Sequence, residues 1–324
     1  MKIYAILLNP TIDQIYEIEN FYVGGTFKVN KSIIYPVGKA ISFSLGVREL
    51  CKEKKIVKVI ACIGEDEIPI YSEFLSSYNI DFEFVSVKGK TRSNKTINDP
   101  IKRTTTHIRE KGFDLTAKNL ENLTKKLKSN VKKNNICVFC GSIPPNIRSN
   151  IYFDLINLCK SKKAICILDS NEQPLIEGIK SNPKIIKPNL LELSQILNDP
   201  KLNELDFSKI KEAMNIIIAK AKILLNKELE IILVTLGNKG AILISNNLIL
   251  YGNVVVENPI DTVGSGDSFL AGFVLNYLKK SDLEDCFKCA IACGAANTLT
   301  PGPGIFIKKN VENLLKKVEI TKIT

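Results

Sequence analysis

Short apolar runs alternate along this chain with longer stretches whose apolar residues recur every three or four positions. Runs of the first kind are KIYAILL (2–8), KVIACI (58–63), DFEFVSV (81–87), ICVFCGS (136–142), AICILDS (164–170), KIIKPN (184–189) and IILVTLG (231–237). Their length and continuity predict strands, most of them buried. Helical spacing marks KAISFSLGVRELCKE, just after Gly38, and the segments 67–76, 116–130, 147–160, 189–197 and 208–226. A hairpin, GAILISNNLILYG, turning at Asn246-Asn247, and two closing helices complete the series. Strands separated by helices in this rhythm predict an α/β fold: a mostly parallel central sheet with helices on both faces.

Two segments break the rhythm. QIYEIEN and FKVNKSIIY, within residues 14–36, and KTINDP with RTTTHIRE, within residues 93–110, are polar and rich in β-branched residues. They predict hairpin strands that pair with each other as a small β lid over one edge of the sheet. With no internal repeat and no low-complexity linker, residues 1–324 are expected to form one domain.

Composition narrows the choice of function. At 324 residues and 45% hydrophobic content, the chain can bury a substantial core. No run reaches the roughly eighteen apolar residues that span a bilayer, and Asn9-Pro10 cuts off the apolar start, so the expected location is the cytoplasm, with no membrane partner. The nine cysteines are odd in number, which suits reduced thiols. CxxC occurs at Cys137/Cys140 and Cys286/Cys289, but in a strand-like run and a helical stripe, so core positions are favoured over a zinc site. The net charge of +11 is spread as lysine over most of the chain, without an accompanying nucleic-acid-binding signature, and a nucleic-acid partner is not expected. Only five of the 45 basic residues are arginine, which draws notice to Arg92 and Arg109, because a guanidinium grips phosphate with two parallel hydrogen bonds.

The chemistry centres on ENPIDTVGSGDSFLAGF (257–273). Gly264, Ser265 and Gly266 precede an apolar helix, and a glycine-led helix N-terminus attracts phosphate through its unpaired amides. Asp267 would repel that phosphate unless its charge had a task, such as taking the proton from an attacking hydroxyl. Read alone, GSGD suits a helix cap as well as a general base.

The wider pattern resembles the ribokinase-like carbohydrate kinases of the PfkB family, and its phosphofructokinase and tagatose-6-phosphate kinase branch in particular. DTVGSGDSF matches the family's C-terminal signature; NPTID (9–13), VGKAISFS (37–44), KTRSN (90–94), CGSIPP (140–145), KPNLLEL (187–193) and VTLGNKGA (234–241) resemble its other motifs in order. The resemblance runs from about residue 2 to 317 and implies a ribokinase-like fold and an ATP- and Mg²⁺-dependent sugar-phosphate kinase. It further implies Asp267 as general base, with Gly264, Ser265 and Gly266 at the transferring phosphoryl group. Asp13, Gly38, Ser42 and Ser142 would face the sugar; Lys28, Lys31, Lys39 and Arg92, joined by Arg109, would meet its existing phosphate. Lys187, Asn189, Glu192, Thr235, Gly237, Gly240 and Asn297 would border ATP, with Mg²⁺ and its waters near Asn189 and Glu192. Read structurally, Asn189 and Glu192 equally suit an ordinary helix start.

Some positions depart from the family pattern. Val37, Ala40 and Ser42 stand where it usually has Gly, Gly and Asn, Lys31 replaces an arginine, and His107, the only histidine, fits a lid surface position. The expected reaction is phosphorylation of fructose 1-phosphate or fructose 6-phosphate to fructose 1,6-bisphosphate. Tagatose 6-phosphate, an unphosphorylated sugar or nucleoside, and a silent nucleotide or sugar-phosphate sensor are the alternatives. The exposed edges of the lid strands imply a homodimer paired through the lid.

Overall fold

The computed structural model describes every residue except Asn30, Lys54 and Thr324. Its centre is β1 (Ile3–Leu7), every residue of which is buried, because strand pairing on both sides and helices on both faces leave it no contact with water. Alternate side chains go to opposite layers: Ile3, Ala5 and Leu7 join one hydrophobic core, Tyr4, Ile6 and Leu8 the other.

From β1 the sheet grows in two directions. On one side lie β4 (Val57–Gly64) and β5 (Asp81–Val87); on the other lie β8 (Ile136–Cys140), β9 (Ile165–Asp169), β10 (Ile185–Ile186) and β11 (Ile231–Thr235), all parallel. Three antiparallel strands, β12 (Ala241–Ser245), β13 (Ile249–Asn253) and β14 (Glu319–Lys322), extend the sheet to ten strands. The order reverses between β1 and β8, and ligands of open α/β sheets bind beyond the carboxyl ends of the strands at such a switch point.

One layer holds α1 (Lys39–Leu50), α2 (Ile68–Ser77), α8 (Ser265–Leu278), α9 (Leu283–Asn297) and α10 (Lys308–Leu315). The opposite layer holds α3 (Ala117–Asn130), α4 (Ile151–Ser161), α5 (Glu172–Ile179), α6 (Leu190–Leu197) and α7 (Ile210–Lys222). A separate four-stranded sheet, in the order β3 (Lys31–Val37), β2 (Thr11–Glu17), β6 (Ser93–Asp99), β7 (Thr104–Arg109), is the lid; β2 and β6 pair in parallel and join the two polar segments. The CxxC cysteines lie in β8 and α9, and His107 is exposed on β7 with Nδ1 3.2 Å from Thr96 Oγ1.

Several expected boundaries move. The strand expected from Phe27 starts at Lys31, with Phe27, Lys28 and Val29 outside regular structure and Asn30 outside the described residues. The helix expected from 147 starts at Ile151, because Asn146 is tied to Leu115, its Oδ1 accepting from the Leu115 N–H and its Nδ2 donating to the Leu115 carbonyl, and the chain turns there. KIIKPN shrinks to a two-residue strand, as Pro188 has no N–H to donate. The helix expected over 208–226 ends at Lys222; α5, α10 and β14 are additional elements.

Candidate functional site

The glycine loop stands where the carboxyl ends of β1, β8, β9 and β10 converge. Gly264 caps α8 in the left-handed region, with φ 80°, and a Cβ there would run into Pro303 and the amide of Gly304. Gly304, at φ 75°, in turn rests on the backbone of Ser42. These positions need glycine for both conformation and close approach. Among the described residues no side chain caps α8; Ser265 N–H donates to the Thr262 carbonyl at 3.3 Å, so the amides of Gly266 and Asp267 remain for a ligand, and the positive end of the helix dipole points the same way.

Asp267 sits in that first turn, 8% exposed. Burial pushes its carboxyl up to about 7; the Lys39 and Lys187 ammoniums oppose the rise, and Asp169 and Glu192 add to it. A carboxyl poised near neutrality suits proton abstraction from a hydroxyl better than an exposed one, whose pKa would match its task poorly.

Beneath it lies a charge network with one centre the sequence reading missed. Asp169, at the end of β9 and 1% exposed, accepts from Lys39 Nζ at 2.9 Å and faces Lys187 Nζ at 3.2 Å, both through Oδ1. Burial alone would raise Asp169, but the two lysines outweigh it and hold the carboxylate below its usual range. Lys39 gains in return: burial disfavours its charge, yet Asp169, Asp267 and Glu192 hold the ammonium above its ordinary pKa. Lys187 reaches under the glycine loop, its Nζ 3.3 Å from where a Cβ on Gly266 would stand. Sequence offered one signal for Asp169: an acid directly after the apolar run ICIL, at the end of a core strand.

Asn189 and Glu192 form a reciprocal cap on α6, Glu192 N–H donating to Asn189 Oδ1 and Asn189 N–H to Glu192 Oε2, each at 2.8 Å. The helix-start reading of this pair is therefore present in the structure. Burial raises the Glu192 carboxyl, with Asp169 adding to the rise and Lys39 and Lys187 opposing it. Asp169 Oδ2 is buried and has no hydrogen-bond partner among the described residues. An orphaned carboxylate oxygen beside a second acid is an oxygen-donor set that suits hydrated Mg²⁺.

Asp13, on β2, accepts from Thr11 Oγ1 at 3.0 Å and Asn94 Nδ2 at 3.1 Å, and burial raises its carboxyl. Arg92 donates to the carbonyls of Pro10 (3.2 Å) and Asn9 (3.3 Å), so its planar head is fixed to the NPTID turn. Asn9 Nδ2 donates to Ser142 Oγ at 3.0 Å, tying the ends of β1 and β8 together. Gly38, at φ 137°, packs closely on Leu7 and Pro10. Arg109 lies opposite Asn94 in the lid register, and Asn94 opposite Asp13, so the three share one row.

Other expected ligands lie elsewhere. Lys31 pairs in register with Glu17, four positions from the Asp13 row and roughly 13 Å along the strand. Lys28 and Lys31 are exposed. Ser42 is 2% exposed beneath Gly304. Asn297, expected along the adenine pocket, is wholly buried and fully engaged: Oδ1 accepts from Ser268 Oγ and the Gly304 amide at 2.9 Å each, and Nδ2 donates to the Val263 carbonyl at 2.8 Å. It pins the glycine loop from below. Thr235 ends β11 beside Asn189, and Gly237 (φ 60°) and Gly240 (φ 92°) shape the following turn.

A lidded parallel sheet with a buried acid at an uncapped, glycine-led helix N-terminus is the layout of a phosphotransferase acting on a hydroxyl. The chain belongs to the pfkB family of carbohydrate kinases, whose model matches residues 9–310. It is 27% identical over 321 residues to the 1-phosphofructokinase of Bacillus subtilis, covering 99% of this chain and 100% of the relative. It is also 27% identical over 333 residues to the tagatose-6-phosphate kinase of Staphylococcus epidermidis, again covering 99% and 100%. Phosphofructokinase-2 from Escherichia coli, solved with substrates and products, superposes with a TM-score of 0.86 at 21% identity over 98% of this chain and 99% of that one. The fold is accordingly ribokinase-like. Kinases of this family use ATP with Mg²⁺.

Proposed function

We propose that the chain, working as a single kinase domain, phosphorylates a ketohexose phosphate from ATP. Fructose 1-phosphate, giving fructose 1,6-bisphosphate, is the first choice of substrate. The observation that carries this reading is the placement of Asp267, a buried carboxyl pushed up to about 7 in the first turn of a helix whose Gly264 cap leaves the Gly266 and Asp267 amides for a ligand. Support for a phosphorylated acceptor comes from Arg92, Arg109 and Lys39, three cations about the Asp13 and glycine-loop region. Full-length similarity to a 1-phosphofructokinase favours the 1-phosphate over the 6-phosphate.

The geometry supports the following division of labour. Asp13 accepts hydrogen bonds from sugar hydroxyls, and the Gly38 turn and Ser142 complete the sugar pocket. Arg92, already oriented by two carbonyls, takes the substrate's phosphate. Asp267 removes the proton from the attacking hydroxyl. The amides of Gly266 and Asp267, with Lys39 and Lys187, face the negative charge that builds on the transferring group. Asp169, Asn189 and Glu192 would hold Mg²⁺ and its waters, which neutralise phosphate charge when bound. Thr235, Gly237 and Gly240 border the nucleotide, and Asn297 keeps the loop in place.

The lid carries a reason to dimerise. Ile34 and Ile108 share one register row through Gln14 and Lys95, on the face opposite Asp13, and each is 50% exposed. A homodimer paired through the lids covers them.

The test is ATP consumption by the purified protein with Mg²⁺ on fructose 1-phosphate, fructose 6-phosphate, tagatose 6-phosphate, fructose, ribose and adenosine. Turnover is expected on fructose 1-phosphate above all. Turnover confined to the neutral acceptors would overturn the sugar-phosphate reading.

A further inference from the structure

Two lid strands, β2 and β3, leave the core side by side, and one buried side chain holds both. Thr11 opens β2, Val37 closes β3, and the two pair in register. Tyr71, on α2 and wholly buried, sets its hydroxyl between them: Oη donates to the Thr11 carbonyl at 2.6 Å and lies 3.2 Å from the Val37 carbonyl. Its ring packs edge-on against Phe84 of β5, with centroids 6.4 Å apart, so the phenol is anchored in the core while its tip reaches the lid. Burial holds this hydroxyl well above its usual pKa, so it stays a donor at any working pH.

The contact continues into the acceptor site. Thr11 Oγ1 donates to Asp13 Oδ1 at 3.0 Å, two residues along β2, and Asn94 Nδ2 reaches the same oxygen at 3.1 Å. Two hydrogen bonds and one residue's main chain thus connect a fixed point in the core to the Asp13 carboxylate. The same turn holds Arg92, whose guanidinium donates to the carbonyls of Asn9 and Pro10 and whose own carbonyl accepts the Ile12 amide at 2.9 Å. One carbonyl would satisfy a buried phenol; a position between carbonyls on two lid strands also fixes how those strands leave the core. We infer that Tyr71 is a positioning residue for the acceptor: its hydroxyl fixes β2 and β3 at the core and, through Thr11, aims the Asp13 carboxylate. The inference rests on the role proposed above for Asp13 in binding the sugar.

Tyr71→Phe removes the hydroxyl and keeps the ring, and an unchanged near-ultraviolet circular dichroism spectrum checks that the variant folds. In steady-state assays with the acceptor that the wild type turns over best, KM is expected to rise about tenfold, the worth of one ordinary hydrogen bond, with kcat kept within about twofold. Affinity for ATP with Mg²⁺, measured by isothermal titration calorimetry, should not change, whereas a general loosening of the fold would weaken both ligands together. In an Asp13→Ala background, itself expected to raise KM, Tyr71→Phe should add less than about twofold. An unchanged KM in Tyr71→Phe, ATP affinity that falls in step with the rise in KM, or the full effect persisting without Asp13 overturns the inference and leaves the role of Asp13 standing. Asp13→Ala with an unchanged KM, or wild-type protein silent on every acceptor, overturns the sugar-binding reading and the inference with it.

Discussion

Replacing Asp267 with asparagine separates the catalytic from the structural consequences of burying that carboxyl. In the folded chain it holds its proton up to about pH 7, whereas an unfolded chain releases it near 3.8. Between these values the folded state binds more protons than the unfolded one, so stability falls as pH rises through the window. Each unit is worth about 1.4 kcal/mol, so at pH 8 the ionised group costs the fold up to about 4 kcal/mol. Asparagine carries no such charge. The variant should therefore lose turnover by about 100-fold to 10,000-fold, the usual worth of a general base, and yet gain stability at alkaline pH. Urea denaturation of both proteins at pH 5 and pH 8 reads the effect: the variant's advantage should widen by up to about 3 kcal/mol between them. In parallel, kcat/KM of the wild type should rise with pH through about 7, as the base ionises. Parallel stability profiles for the two proteins would refute the reasoning, because the carboxyl would then carry no burial penalty.

Four further outcomes follow from the same geometry. Arg92→Ala should raise KM for a ketohexose phosphate by about 10-fold to 100-fold while leaving any turnover of free fructose unchanged, in steady-state assays of both acceptors. Asp169→Asn leaves Lys187, itself 4% exposed, and Lys39 without their shared counter-ion, and should cost about 3 kcal/mol in denaturant unfolding along with most of the activity. Gly264→Ala forces a Cβ onto Pro303 and Gly304 at a positive φ, so kcat should fall by about 100-fold with secondary structure kept by circular dichroism. Ile108→Asp should convert a lid-paired dimer into a monomer in sedimentation velocity.

The layers of this fold were legible because strand and helix periods differ, and β1 is a plain case: it lies within KIYAILL, seven apolar or amphipathic residues stopped by Asn-Pro. The lid was legible for the opposite reason, as polar, β-branched segments had no place in a buried sheet. Local pattern failed where length or distant partners decide. Helix α5, EQPLIEGI, has only eight residues and carries both proline and glycine, so its apolar spacing is faint. Asp169 looked like the start of a loop; its importance rests on Lys39, 130 positions away, and Lys187 on another strand's end. Asn297 was expected along the adenine pocket; its hydrogen bonds to Val263, Ser268 and Gly304 come from three segments that only folding assembles. Lys28 and Lys31 carry the right charge for phosphate, and register, which sequence left open, sets Lys31 at the far end of β3.

Asp267 is proposed to deprotonate a hydroxyl of a sugar that already carries a phosphate. Phosphorus-31 NMR of the protein with fructose 1-phosphate, ATP and Mg²⁺, run beside Asp267→Asn, tests it most directly. Fructose 1,6-bisphosphate should accumulate with the wild type and stay at background with the variant. No bisphosphate from the wild type, or equal rates from both proteins, would contradict the account.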